Sequence, residues 1–343
     1  MEKTAVFAYA VWCFVTGGSN ATRDKSRGGN RMPKITAAHV RIPADVPAGA
    51  REIYVENYLK ATRGTGRLML FACDQKIEHL NDDFFGEGIA EDDSSPLHLF
   101  EIGSKGVIGI LAGQRGLIAQ YAADYPDINY LVKMNSKTHL VKTSQEDPYS
   151  PQLYDLETVL DLIDNGVNVV GIGYTIYLGS EYEAQMLTEA SQLIANAHSV
   201  GLLTVLWIYP RGKAVGDEKA PSLIAGAAGV ACCIGSDFVK VNPPKATEAG
   251  SSAVLLRQAT KAAGRTGLVC AGGSTVDAEI FLNQLWEQIH DGGAVGNATG
   301  RNIHQRPLQE AIRLTKAISA ITLGDMGLAD AVAVFKGEKD FSI

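Results

Sequence analysis

The chain has few features of several function classes. Its five cysteines (Cys13, Cys73, Cys232, Cys233, Cys270) form no CxxC pair, and four of them sit in apolar runs, so a disulfide framework or a structural zinc site is not indicated. Neither HExxH nor HxxxH occurs. The apolar run VFAYAVWCFV near the start falls short of the roughly 20 residues that span a bilayer. No GxGxxG follows the first apolar segment, which removes the dinucleotide fingerprint, and no nucleophile elbow or kinase-type loop is present. The formal charge is only -7, with Lys and Arg dispersed and no interleaving with aromatics, which argues against nucleic acid as a partner.

What remains is a chain of 343 residues, 46% apolar and 20% charged, long enough to bury a large core. Residues 1–31 read apart from the rest: a short apolar run, then the polar SNATRDKSRGGNR. They are set aside as a disordered extension or a mistaken start before Met32, and residues 32–343 are expected to form one domain. The buried-looking thiols point to a reducing, cytoplasmic setting with no membrane association.

Eight short apolar runs recur: RLMLFACD, KGVIGILAG, INYLVKMN, VNVVGIGYT, LLTVLWIYP, DFVKVNPP, TGLVCAGG and GGAVGNATG. Helical patterns ending at Gly or Asn-Gly separate most of them, among them YDLETVLDLIDNG and AEIFLNQLWEQIHDG. The runs alternate poorly, as strands covered on both faces do. An α/β fold of the (β/α)8 TIM-barrel type follows, with the active site at the C-terminal ends of the strands; a doubly wound open sheet is the alternative.

On such a barrel the strand ends gather Asp74, Lys133, Tyr174 or Tyr177, Tyr209, Arg211 and Lys240. Lys240, in SDFVKVNPPK, is walled by Phe238, Val239 and Val241. Loss of hydration drives an ammonium pKa down and leaves free amine to attack a carbonyl. Asp74, in FACDQKIEH, is placed to accept a substrate hydroxyl proton, and its plainer reading is a helix cap or a solvated loop acid. Tyr209 stands two residues after Trp207 in TVLWIYPRG, so both face one side of a strand: a proton donor and a pocket wall, or an aromatic pair filling the barrel mouth. AGGST, with Gly272, Gly273 and Ser274, and NATGRNIHQ, with Gly300 and Arg301, offer phosphate donors after strands seven and eight. Arg211 and Lys245 are candidates for a second phosphate. His79, His139 and His304 are not expected to hold a metal, Glu78-His79 reads as a hydrogen-bonded pair, and no cofactor is called for.

This ordered series, FACDQKIEH, LVKMN, TIYLGSE, TVLWIYPRG, DFVKVNPP, AGGS and ATGRNIHQ, resembles the archaeal-type class I fructose-bisphosphate aldolases of the wider DeoC/FbaB aldolase family, from about residue 60 to 330. The resemblance implies that Lys240 forms the Schiff base, Tyr209 donates a proton, Asp74 is the base and Trp207 shapes the pocket. It further implies that Gly272, Gly273, Ser274, Gly300 and Arg301 bind one phosphate and Arg211 helps bind the other. The implied reaction is the reversible, metal-independent cleavage of fructose 1,6-bisphosphate in glycolysis and gluconeogenesis, by a homo-oligomer. Two departures from the family pattern stand out: DQK in place of Asp-His-Gly, and VNPP after the lysine in place of Tyr-Thr-Gly. A related synthase branch, of the 2-amino-3,7-dideoxy-D-threo-hept-6-ulosonate type, and a non-catalytic phosphosugar-binding barrel are the alternatives.

Overall fold

The computed structural model describes residues 32–140 and 147–343; the expectations for residues 1–31 lie outside them. Eight parallel strands close on themselves in sequence order. They are β1 (Leu68–Ala72), β2 (Ile110–Gln114), β3 (Tyr130–Lys133), β4 (Val169–Leu178), β5 (Leu203–Pro210), β6 (Phe238–Val241), β7 (Gly267–Ala271) and β8 (Gly296–Thr299). Each coincides with one of the eight apolar runs.

The poor alternation of those runs has a direct cause, because both strand faces are buried. Leu68, Leu70 and Ala72 of β1 point into the barrel with Leu203, Val205, Trp207 and Phe238. Met69, Phe71 and Cys73 point out beneath the helices, with Val239 and Val241 of β6. Lys240 is therefore not walled by both valines, as its neighbours in sequence imply. Of the three flanking residues, Phe238 shares its face, and Val239 and Val241 lie on the other.

Helices Leu97–Lys105, Arg115–Tyr121, Glu157–Asp164, Glu183–Ser199, Pro221–Ile234, Ser252–Ala262, Ala278–His290 and Leu308–Thr322 follow the eight strands in turn. Local chemistry sets their limits. Pro221 opens one helix and Gly235, at φ 91°, ends it. The Asp277 carboxylate accepts from the amides of Glu279 and Ile280 at the start of another. No helix among the described residues is long and apolar enough to cross a membrane.

The N-terminal end of the barrel is plugged by the segment before β1, whose helix Arg51–Ala61 lays Tyr54 against the floor formed by Leu203 and Phe238. Here the Asp237 carboxylate gathers donors: the Tyr54 hydroxyl at 2.5 Å, the Thr204 amide at 2.8 Å and the ring of His198 at 3.1 Å. This clasp pins the start of β6 to β5 and so fixes the height of Lys240.

Candidate active site

At the opposite end, a cavity of about 210 Å³ opens at the C-terminal ends of the strands, lined among others by Asp74, Glu78, Tyr177, Trp207, Tyr209, Arg211, Lys240, Gly272, Gly273, Gly300 and Arg301. The register explains the grouping. Trp207 pairs with Lys240 across β5 and β6, and paired residues of a parallel sheet share a face, so indole and amine enter the barrel together.

Lys240 is 4% exposed, and its Nζ lies 5.2 Å from the centre of the Trp207 ring. Burial lowers its pKa, and the charges of Lys133 and Arg301 push the same way, against Asp74 and Glu78. The indole occupies space that only glycine leaves: a Cβ on Gly173 would sit 2.5 Å from the Trp207 ring. Lys133, at the end of β3, stands 5.3 Å from the same ring and donates to the Asn135 carbonyl at 3.1 Å and side-chain oxygen at 3.0 Å. Its pKa is also lowered by burial.

Asp74 lies two residues beyond β1 at the N-cap of the short helix Gln75–Glu78. It is 4% exposed, makes no capping hydrogen bond, and has one buried carboxylate oxygen without a partner among the described residues. The cap reading of this residue thus fails, and its carboxylate is available to a ligand. Tyr209 lies within β5 rather than after it, its ring 6.4 Å from that of Tyr177. Burial and the charges of Asp74 and Glu78 raise its phenol pKa well above the usual value, so it keeps its proton at neutral pH.

Tyr174 and Tyr177 likewise fall inside β4, not after it. Tyr174 turns outward to Glu189, 2.5 Å away; Tyr177 is the one that reaches the cavity.

At β7 and β8 the backbone approaches closely. A Cβ on Gly272 would lie 2.9 Å from Thr299, and one on Gly300 2.5 Å from Gln75. Asn302, which sequence reasoning passed over, holds this turn by donating to the carbonyls of Gly272 at 2.9 Å and Ser274 at 3.0 Å and accepting from the Val276 amide at 3.0 Å. Gly300 is the cap and Arg301 the first residue of the helix that follows.

Of the residues to which the resemblance or the sequence gave a catalytic or phosphate-binding part, two stay outside the cavity. Ser274 is exposed and outside the lining, and contributes to the turn through its carbonyl. Lys245 is outside it too; its ammonium pairs with Asp217 at 2.5 Å. Arg211 does line the cavity, but its guanidinium makes two 3.0 Å bonds to Glu218 while lying 5.8 Å from the ring centres of both Tyr177 and Tyr209.

Residues 68–306 match the DeoC/LacD family aldolase profile. The chain belongs to this aldolase family. It is 57% identical over 309 residues, 90% of this chain and 98% of the relative, to the fructose-bisphosphate aldolase/6-deoxy-5-ketofructose 1-phosphate synthase of Methanocaldococcus jannaschii. Among solved structures, the fructose-bisphosphate aldolase from Slackia heliotrinireducens superposes with a TM-score of 0.90 at 71% identity, over 91% of this chain and 98% of that one. An archaeal fructose-1,6-bisphosphate aldolase with its catalytic lysine covalently bound to the carbinolamine intermediate gives a TM-score of 0.65 at 29% identity, over 79% of this chain and all of that one.

In this DeoC/LacD member the first loop carries more than the sequence suggested. Glu78 and His79 do not bond each other: Glu78 accepts from the Tyr177 hydroxyl at 3.2 Å, and His79 bonds Asp83. Sequence spacing does not show which of these groups meet in space. Chain folding brings Glu78, His79 and His139 ligand atoms within 4.8 Å of one another. Burial and the charges of Lys137 and Arg211 hold His139 down to about 4, hence neutral at pH 7; those two cations also oppose a dication at this place. His304 lies apart, buried against Asp93 at 2.7 Å and stacked on Phe84.

Proposed function

We infer that this protein is a class I, Schiff-base fructose-bisphosphate aldolase that reversibly cleaves fructose 1,6-bisphosphate to dihydroxyacetone phosphate and glyceraldehyde 3-phosphate. The observation that carries the reading is a buried amine, Lys240, with lowered pKa, in one cavity with a protonated phenol and a carboxylate bearing an unpartnered oxygen. Similarity over nearly the whole length of relatives named as fructose-bisphosphate aldolases supports it.

In this mechanism the Lys240 amine attacks the ketose carbonyl carbon, C2. Tyr209 gives a proton to the carbinolamine hydroxyl, which leaves as water, and a protonated imine forms. Asp74 takes the C4 hydroxyl proton; the C3–C4 bond breaks, its electron pair flows into the imine, and glyceraldehyde 3-phosphate departs. Protonation of the resulting enamine at C3 and hydrolysis of the imine release dihydroxyacetone phosphate and the free amine. The glycine turns at 272–273 and 300–301 present backbone to one phosphate, with Arg301 beside them. Arg211 serves the other. The proposal assigns no metal or cofactor a step, and places the enzyme in the cytoplasm as a homo-oligomer.

One observation favours the synthase branch as a second reading. Lys245 is turned to Asp217, and Arg211 is engaged by Glu218, so the second phosphate has only one cation of the pair expected for it, and that one must be shared.

The deciding experiment incubates the protein with fructose 1,6-bisphosphate and borohydride in the presence of a chelator, maps the adduct by peptide mass and assays triose phosphate release. A dihydroxyacetone phosphate adduct on Lys240, with cleavage, is expected. An adduct on another residue, or neither adduct nor cleavage, overturns the assignment.

A further inference from the structure

Lys240 and its strand β6 stand between two ends of the cavity. On one side lie the glycine turns after β7 and β8; on the other, β4 and β5 are neighbours in the closed sheet and bring Tyr177, Tyr209 and Arg211. The loop after β1 reaches across to this second end. Its Glu78 accepts from the Tyr177 hydroxyl through Oε1 at 3.2 Å, and its backbone carbonyl accepts from the His139 amide at 2.8 Å. Side chain and main chain are thus both tied.

We propose that Glu78, held by Tyr177, is the specificity-determining residue for the aldehyde half of the substrate, accepting a hydrogen bond from the hydroxyl on the carbon next to the aldehyde carbonyl. This deepens the aldolase reading and rests on it. Three observations lead there. Glu78 follows Asp74 by four residues along the helix that Asp74 caps, so the two carboxylates project from one face with Cβ atoms roughly 5–6 Å apart. If Asp74 serves the hydroxyl that becomes the aldehyde oxygen, Glu78 faces the next hydroxyl along the chain.

Charge makes the second argument. A carboxylate repels phosphate, so the phosphate of the aldehyde half goes to Arg211, and Glu78 is left with the neutral donor between. Capacity makes the third: a carboxylate offers about four lone-pair sites, and Tyr177 occupies one, on Oε1. An aldehyde lacking the hydroxyl would leave the acceptor sites that Tyr177 does not fill without this donor in the occupied cavity, which is how a site built to bond a hydroxyl rejects the deoxy analogue.

The test runs the condensation with dihydroxyacetone phosphate as donor and two acceptors, glyceraldehyde 3-phosphate and its 2-deoxy analogue 3-phosphooxypropanal, in wild type and Glu78→Gln. Wild type is expected to favour the hydroxylated acceptor in kcat/KM by at least about tenfold, and Glu78→Gln to cut that ratio by a similar factor, mostly through loss with the hydroxylated acceptor. Tyr177→Phe, which unties Glu78, moves the ratio the same way by less. An unchanged ratio in Glu78→Gln overturns the proposal. So does a wild type with no preference, a result that needs no variant to fold. Borohydride trapping of dihydroxyacetone phosphate on wild-type Lys240 separates the two readings: without the adduct the aldolase assignment itself fails, whereas an adduct with a flat acceptor ratio removes only the role of Glu78.

Discussion

The ammonium groups of Lys133 and Lys240 converge on one indole, lying 5.3 Å and 5.2 Å from the centre of the Trp207 ring. Burial lowers the pKa of both, and the charges of Asp74 and Glu78 act on both in the opposite sense. The charge of the lysine from β3 thus adds to burial in lowering the pKa of the one from β6.

Replacing Lys133 by Met removes a charge that lowers the Lys240 pKa. The acid limb of Schiff-base formation, followed by borohydride trapping against pH, is expected to move to higher pH, with slower trapping at pH 7. A limb that stays in place, or moves down, would show that the two amines are not coupled.

Gly173 makes room for the same indole. Gly173→Ala sets a methyl 2.5 Å from the Trp207 ring and 2.7 Å from Leu131, and overpacking of this kind costs about 1–3 kcal/mol. Tm falls, the tryptophan emission shifts, and kcat drops because the wall behind Lys240 has moved. Wild-type emission and kcat in a folded variant would contradict this.

Tyr209→Phe keeps the ring and removes the proton. A loss in kcat of about 10²–10⁴-fold is expected, with a smaller change in KM. Steady-state kinetics decide between this and an aromatic that merely fills the barrel mouth, for which the phenylalanine would retain near-wild-type kcat.

Arg211 and Lys245 should part company. Arg211→Ala raises KM for the bisphosphate by about tenfold, since a charged hydrogen bond to phosphate is lost. Lys245→Ala loses only an exposed ion pair with Asp217, worth little, and changes KM by less than about twofold. Equal effects would return Lys245 to the phosphate site.

At the other end of the barrel, burial alone would lower the His198 pKa, but hydrogen bonds and charge from Asp237 and Asp45 more than offset it and raise it to about 9. A folded pKa above the unfolded value of about 6.5 means that the stabilisation is fully present below about pH 6.5 and is lost as pH rises through 9. The contribution is on the order of 3 kcal/mol. Wild-type Tm should fall between pH 6.5 and 9.5 more steeply than that of His198→Asn; parallel curves would exclude the linkage.

Much of this architecture was legible in the residues. Eight apolar runs broken by helical periodicity implied eight strands buried on both faces, and Lys240, Tyr209, Trp207 and Asp74 reach one cavity because a barrel brings together strand ends far apart in sequence. The failures share a cause. Lys245 and Ser274 were placed by their nearness to promising segments, but neighbours in sequence need not point the same way, and a nearby Asp217 or an outward turn decided the matter. The spacing rules for metal motifs describe ligands on one element, so they were blind to His79 and His139 meeting from different loops. Glu78 was visible in principle, one helical turn after Asp74.

β6 is four residues long, and at about 3.3 Å per residue Lys240 stands roughly 10 Å above the Asp237 clasp. A one-residue slip of so short a strand would turn the amine out beneath the helices. The clasp, by satisfying Tyr54, His198 and Thr204 at once, forms fully only in the correct alignment and only once the plugging helix is seated. A chain that has not sealed its floor therefore does not hold Lys240 at the level of the cavity, and the two ends of the barrel are joined through one short strand.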